Sequence, residues 1–287
     1  MQVKIALSQI YPHMGNLECN LEKHLQHIEE ARQHQADLIV FPELSLVGYY
    51  VMDLVSELAQ TPSEHDPIFA RLLKESQTID MMVGFIQEDS RHRYYIAAAY
   101  LSQGKVVHIH RKVYLPTYGI FDDARYFSAG NRLQAFDTRF GRVGMLICED
   151  MWHLSSGYVL WMDGADLLLC HSNSPTRGIG ASEDGRSTVG RWVDVILQSY
   201  SAMFTTYVVH VNRVGYEDGK NFWGGSSVVN PNGNTVIQAP YFEETLLMHT
   251  IDLAQLHRTR SVNPLLRDER ATLVQAELER ILREQTQ

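Results

Sequence analysis

Val3 to Ile10 alternates in the period of a half-buried strand. Behind it Leu21, Leu25 and Ile28 recur at helical spacing after Asn16, a residue type suited to cap a helix. Ala36-Asp37-Leu38-Ile39-Val40-Phe41 is a buried-strand run. Asp66-Pro67 supplies an N-cap and a first-turn proline for a second helix ending near Gln77, ahead of a strand from Met81 to Gln87. These segments set a β-α-β rhythm.

Tyr94 to Leu101 and Lys105 to Arg111 read as strands about Gln103-Gly104, and Phe136 to Ile147 continues the alternation through another glycine-containing turn. A helix near Tyr158 to Met162, a strand Asp166 to Cys170 and a helix Arg191 to Ala202 repeat the earlier order. Tyr207 to Asn212, Ser226 to Val229, Thr235 to Gln238 and Leu246 to Ile251 close the pattern, with Pro231-Asn232-Gly233-Asn234 as a hairpin turn. This amounts to roughly ten to twelve strands with helices between them, an α/β chain. No Pro/Ser-rich linker interrupts it, so a single domain over 1–287 is expected, its sheet folded into two layers. Residues 267–287 form a polar helical tail with a narrow stripe of Leu273, Leu278 and Ile281 that a partner subunit would cover. Ala36 to Val40 and Ala165 to Leu169 echo one another, each after a helix-like stretch and before a polar one.

Composition narrows the function. The chain has 287 residues, 45% apolar and 21% charged, within the globular range. A formal net charge of −9 with no basic run argues against nucleic-acid or anionic-membrane binding. The first residues lack a signal-peptide core and no stretch approaches membrane-spanning length, so a cytoplasmic protein is expected. Cys19, Cys148 and Cys170, odd in number and widely spaced, suit free thiols rather than disulfides or a zinc cluster.

Four polar segments follow directly on apolar strands: Pro42-Glu43, Lys112, Cys148-Glu149-Asp150 and Ser172-Asn173-Ser174. Carboxyl ends of strands form the mouth of an α/β sheet, so the four are expected to converge there. An acyl-enzyme hydrolase needs a nucleophile, a base for its proton and a donor for the oxyanion; Cys148, Glu43 and Lys112 supply those chemistries. Taken singly, each has a plainer reading, as core thiol, surface carboxylate or solvated cation.

Phe41-Pro42-Glu43-Leu44, Arg111-Lys112-Val113-Tyr114-Leu115-Pro116 and Gly144-Met145-Leu146-Ile147-Cys148-Glu149-Asp150 resemble the three motifs of the carbon-nitrogen hydrolase (nitrilase) superfamily, in the family's order. Asn212-Arg213-Val214-Gly215 and Phe222-Trp223-Gly224-Gly225-Ser226 resemble its later segments, so the likeness runs over roughly residues 3 to 252. Leu115-Pro116-Thr117-Tyr118-Gly119, Cys148-Glu149-Asp150-Met151-Trp152 and Asn173-Ser174-Pro175 are similar to the glutaminase domain of glutamine-dependent NAD synthetase. No adenylating loop of the Ser-Gly-Gly type follows before Gln287, so a built-in ammonia user is not expected.

The resemblance implies a four-layer α-β-β-α sandwich, paired as a homodimer or higher homo-oligomer, that needs no cofactor and no metal. It implies Glu43 as base, Cys148 as nucleophile, and Lys112 with the backbone N–H of Glu149 at the oxyanion. Asp123 falls where the family carries a supporting Glu, with neighbouring Asp122 as the alternative. A Lys112 cation beside the thiol is expected to favour the thiolate.

Tyr49, Tyr118, Trp152 and Asn173 are candidate substrate contacts, and Arg177 or Arg186 could fork a substrate carboxylate. His153 would make a Cys-His dyad only by turning back on the strand end. The histidines show no helical ligand spacing for zinc. The leading expectation is an amidase for a small linear amide. A glutaminase subunit feeding a separate synthetase, and an inactive scaffold that binds a partner, are the alternatives.

Overall fold

The helix starts form as their capping residues require. Asn16 Oδ1 accepts from Cys19 N at 3.1 Å, and Asp66 Oδ1 accepts from Ile68 N and Phe69 N at 2.9 and 3.0 Å. The computed structural model describes residues 1–176 and 188–285. In chain order its strands are β1 (Gln2–Gln9), β2 (Leu38–Val40), β3 (Asp80–Glu88), β4 (Tyr94–Ser102), β5 (Lys105–Arg111), β6 (Phe136–Thr138) and β7 (Gly141–Ile147). They continue as β8 (Leu167–Ser172), β9 (Tyr207–Asn212), β10 (Val214–Glu217), β11 (Lys220–Trp223), β12 (Ser227–Val229), β13 (Thr235–Gln238) and β14 (Thr245–Asp252). The helices are α1 (Leu17–Gln33), α2 (Val55–Leu58), α3 (Pro67–Glu75), α4 (Asp123–Tyr126), α5 (Leu154–Met162), α6 (Thr188–Phe204), α7 (Ala254–Val262), α8 (Leu265–Asp268) and α9 (Ala271–Gln285).

Two six-stranded sheets carry the fold, ordered β14-β1-β2-β3-β4-β5 and β13-β12-β9-β8-β7-β6. Each holds three parallel strands, β1-β2-β3 and β7-β8-β9, flanked by antiparallel ones. The echo between Ala36–Val40 and Ala165–Leu169 has a structural basis here, because β2 and β8 are the middle strands of the two parallel sets. The sheets pack face to face through one apolar cluster that includes Leu7, Val40 and Phe85 from the first and Val143, Leu169 and Val209 from the second. On the outside, α1 and α3 pack on the first sheet, and α5 and α6 on the second. The result is the α-β-β-α sandwich.

Fourteen strands occur among the described residues, more than the pattern predicts. The addition is the hairpin β10–β11, which turns at Asp218-Gly219 with φ of 47° and 72°. The fifth helix starts earlier than predicted, at Leu154, and the sixth is longer at both ends. The tail is two helices rather than one, broken at Glu269-Arg270, and none of its described residues is buried. Leu273, Leu278 and Ile281 are exposed on α9. All three cysteines are free, and no helix among the described residues is long and apolar enough to cross a membrane.

Candidate active site

After β2 the chain turns sharply at Pro42-Glu43-Leu44, with Leu44 at φ 48°. The turn lies against β3 at Gly84, where a Cβ would stand 2.4 Å from Pro42 O and 2.5 Å from Leu44 N. Only glycine permits that approach. It fixes a fully buried Glu43 whose Oε1 accepts from Lys112 Nζ and whose Oε2 accepts from Asn173 N, both at 2.7 Å.

Lys112 follows β5 and is buried, so its ammonium must be paired. Besides Glu43 it donates to Asp123 Oδ2 at 2.7 Å. Asp123 Oδ1 in turn accepts from Tyr49 OH at 2.5 Å, and Tyr49 N donates to Glu217 Oε1 at 2.7 Å. Asp123, not Asp122, is therefore the carboxylate against Lys112; Asp122 is exposed, 3.8 Å from Arg125.

Cys148 follows β7 at φ 47°, a left-handed conformation that costs a β-substituted residue energy and that functional turns accept. The 3-10 turn Cys148–Trp152 folds back so that Asp150, fully buried, accepts from Ile147 N (3.1 Å), Val113 N (2.9 Å), Tyr114 N (3.0 Å) and His110 Nε2 (2.8 Å). One carboxylate thus clamps the strand end carrying Cys148 to the segment just after Lys112. A cavity of about 180 Å³ opens at Cys148, walled by Tyr118, Phe121, Glu149, Trp152, Ser174 and Val189 among others. Tyr118 OH donates to the Glu149 carboxylate at 2.9 and 3.0 Å.

Burial pushes the Glu43 carboxyl above its ordinary range; Lys112 opposes this and the charge of Asp123 adds to it. Burial alone would lower Lys112, but Asp123 and Glu43 outweigh it and hold the ammonium well above its usual value. Burial also pushes the Cys148 thiol far above the usual thiol range, reinforced by Glu43, while Lys112 pulls the other way. This corrects the expectation of a favoured thiolate. Lys112 favours the thiolate, but burial and the charge of Glu43 outweigh it, so the resting Cys148 side chain is a neutral thiol.

Tyr118 and Trp152 line the cavity. Tyr49 does not; its ring lies behind Asp123 because its hydroxyl is committed there. Asn173 contributes its backbone N–H to Glu43, and both polar atoms of its buried side chain lack a hydrogen-bond partner among the described residues. Arg177 and Arg186 lie outside the described residues. His153 stacks on Tyr114 with ring centres 3.6 Å apart, and its Nε2 is 3.7 Å from Glu149 Oε1, which occupies it away from a dyad. Sequence reasoning missed Phe121 and Val189 as cavity walls, and gave Ser174 and Asp150 only as members of polar segments expected to converge here. Ser174 sits beside Asn173, and its backbone is held by Asn212, whose Oδ1 accepts from Ser174 N at 2.9 Å. No group of three or more His, Cys, Asp or Glu able to hold a metal ion occurs among the described residues.

The carbon-nitrogen hydrolase family profile matches residues 4–261. The glutamine-dependent NAD(+) synthetase of Acinetobacter baylyi is 33% identical over 261 residues, covering 91% of this chain and 46% of that protein. Among solved structures, the glutamine-dependent NAD+ synthetase of Acinetobacter baumannii superposes with a TM-score of 0.78 at 30% identity, over 89% of this chain and 47% of that one. A carbon-nitrogen hydrolase from Helicobacter pylori superposes with a TM-score of 0.86 at 21% identity over 97% and 99% of the two chains, a likeness of fold. The chain spans slightly under half the length of the synthetases it matches.

Proposed function

This chain belongs to the carbon-nitrogen hydrolase family, and from that membership we propose that it cleaves the C–N bond of a small linear amide through a thioester on Cys148. The observation that carries the reading is Lys112 Nζ at 2.7 Å from both Glu43 and Asp123 beside a buried, neutral thiol. Glu43, its carboxyl raised by burial, takes the thiol proton as sulfur attacks the amide carbon. Lys112 and the Glu149 N–H face the oxyanion. Glu43 returns the proton to the departing ammonia or amine, the C–N bond breaks, and water then attacks the thioester with Glu43 again as base. The 180 Å³ cavity supports a small acyl group, being about six water volumes. The unpaired buried amide of Asn173 supports it as a partner for a polar substrate group.

Hydroxylamine tests the thioester. In its presence the enzyme should convert an amide to the hydroxamate, and intact-mass measurement should find the acyl adduct on Cys148. Ammonia release with neither adduct nor hydroxamate would contradict it.

A second reading is that glutamine is the amide and a separate synthetase takes the ammonia. Two observations favour it: the relatives named above, and a Glu149 carboxylate held by Tyr118 on the cavity wall, where a substrate ammonium group would pair. Preference for glutamine over amides that lack the ammonium group, with activation by a partner synthetase, separates the readings. The same proposal places the protein in the cytoplasm as a homodimer, and the exposed Val159 on α5 and Trp192, Val195 and Met203 on α6 support the pairing as apolar surface to be covered.

A further inference from the structure

The strand β5 is the outer strand of its sheet, and the segment 128–134 is pinned beside it. Ser128 N donates to Tyr94 O at 2.8 Å and Gly130 N donates to Lys112 O at 2.7 Å. A Cβ on Gly130 would stand 2.3 Å from Arg111 O, so only glycine allows the segment to close on the strand. Between them lies a cavity of about 400 Å³ lined by Gln87, His108, Arg111, Asn131, Arg132 and Gln134, together with Ile109 and His110. It shares no lining residue with the cavity at Cys148.

Its charge is of one sign. Among the described residues no carboxylate lines this cavity, although the chain carries a formal net charge of −9. Arg111 is held by cation–π contact with the Tyr95 ring at 4.0 Å, and its Nε donates to Gln87 Oε1 at 2.8 Å. Among the described residues its terminal nitrogens make no hydrogen bond and remain for another acceptor. Arg132 makes only a 3.4 Å contact with Gln134 Oε1. Two guanidiniums with no carboxylate partner among the described residues line one concavity, and each offers a planar fork of donors suited to an anion. The amides of Asn131 and Gln134 add neutral donors. His108, stacked on Phe136 at 4.4 Å, is lowered to about 4 by burial and the neighbouring His110, so it offers a neutral ring at pH 7. A carboxylate presents two oxygens to this set of donors and a phosphoryl group presents three. The volume exceeds what a phosphoryl group alone would fill, leaving room for an organic body.

We propose that this cavity binds a phosphoryl anion across Arg111 and Arg132, as the terminal group of a small phosphate ester or as free phosphate. The site is distinct from the amide-cleaving cavity, and because its test reads binding alone, its failure would leave the hydrolase reading untouched.

Calorimetric titration of AMP and of inorganic phosphate into the full chain, in chloride buffer, tests it. We expect one site per chain. Competition between the two identifies an ester site, and binding of phosphate alone identifies a free-ion site. Arg132 is exposed, so Arg132→Glu should melt like the wild type and weaken binding at least tenfold, with Arg132→Gln weakening it less. Absence of heat for both probes, AMP binding that phosphate does not displace, or equal affinity in Arg132→Glu would overturn the proposal.

Discussion

Glu43 and Asn173 stand 130 positions apart in the chain, yet Asn173 N–H donates to Glu43 Oε2 at 2.7 Å. Glu43 follows β2 of one sheet and Asn173 follows β8 of the other, so this bond ties the two sheets at the mouth of the sandwich. With Oε1 on Lys112, both oxygens are engaged and the carboxylate is held in one orientation before any substrate arrives.

Glu43→Gln keeps the shape but must turn its NH2 toward either Asn173 N–H or the Lys112 ammonium, donor against donor. The variant should lose about 1–3 kcal/mol of stability. Ammonia release should fall by about 10²–10⁴-fold, the range ascribed to a positioned base. Urea unfolding and steady-state turnover read the two effects separately. Near-normal turnover would remove Glu43 from the chemistry.

Lys112→Met leaves Glu43 and Asp123 buried against each other without the cation between them. Breaking a buried pair from one side costs about 3–5 kcal/mol, and loss of one oxyanion donor costs about 10²–10³-fold in kcat. Adding Asp123→Asn to Lys112→Met should recover part of the stability but none of the turnover. If the double variant melts no higher than the single one, the Asp123–Lys112 pairing is misjudged.

The Cys148 thiol should be slow to alkylate at pH 7. Its pKa lies above the usual 9.0, so iodoacetamide should react more slowly than with a free thiol and accelerate only at alkaline pH. The same shift has a stability consequence. A thiol whose folded pKa is raised stabilises the protein fully below the unfolded value near 9 and progressively less as pH climbs above it. Faster alkylation than the free thiol at pH 7 would restore the thiolate expectation.

Acid should destabilise the fold before most carboxylates titrate. Burial lowers His24, His171 and His210 from 6.5 to about 3. Their folded values are depressed, so the stability they contribute is present above pH 6.5 and is lost as pH falls from there toward 3. Each adds a slope of about 1.4 kcal/mol per pH unit within that window. Urea unfolding at pH 7, 6 and 5 should therefore show a steep decline, reduced in His24→Gln. An unfolding free energy that is flat across that range would contradict it.

Much of this was legible in the chain where local chemistry decides. The caps Asn16 and Asp66, the Gln103-Gly104 turn and the apolar runs before Glu43, Cys148 and Asn173 each carry their own signal. The hairpin β10–β11 carried one too, in Asp218-Gly219, a dipeptide suited to a tight turn with both φ angles positive. What periodicity does not carry is contact between distant segments. Asp122 and Asp123 are chemically identical neighbours, and only the packing of α4 decides which reaches Lys112. The thiol differs from expectation for the same reason: the positive charge of Lys112 is visible in the sequence, whereas the burial of Cys148 beside Glu43 is not.

Ammonia release from a panel of small amides that includes glutamine, compared between wild type and Cys148→Ala, tests the central claim most directly. Alanine fits the left-handed strand end no worse than cysteine and removes only the sulfur, so the variant should keep its fold by circular dichroism. The account predicts turnover of at least one amide by the wild type and none by the variant. Equal ammonia release from both proteins would show that Cys148 is not the nucleophile.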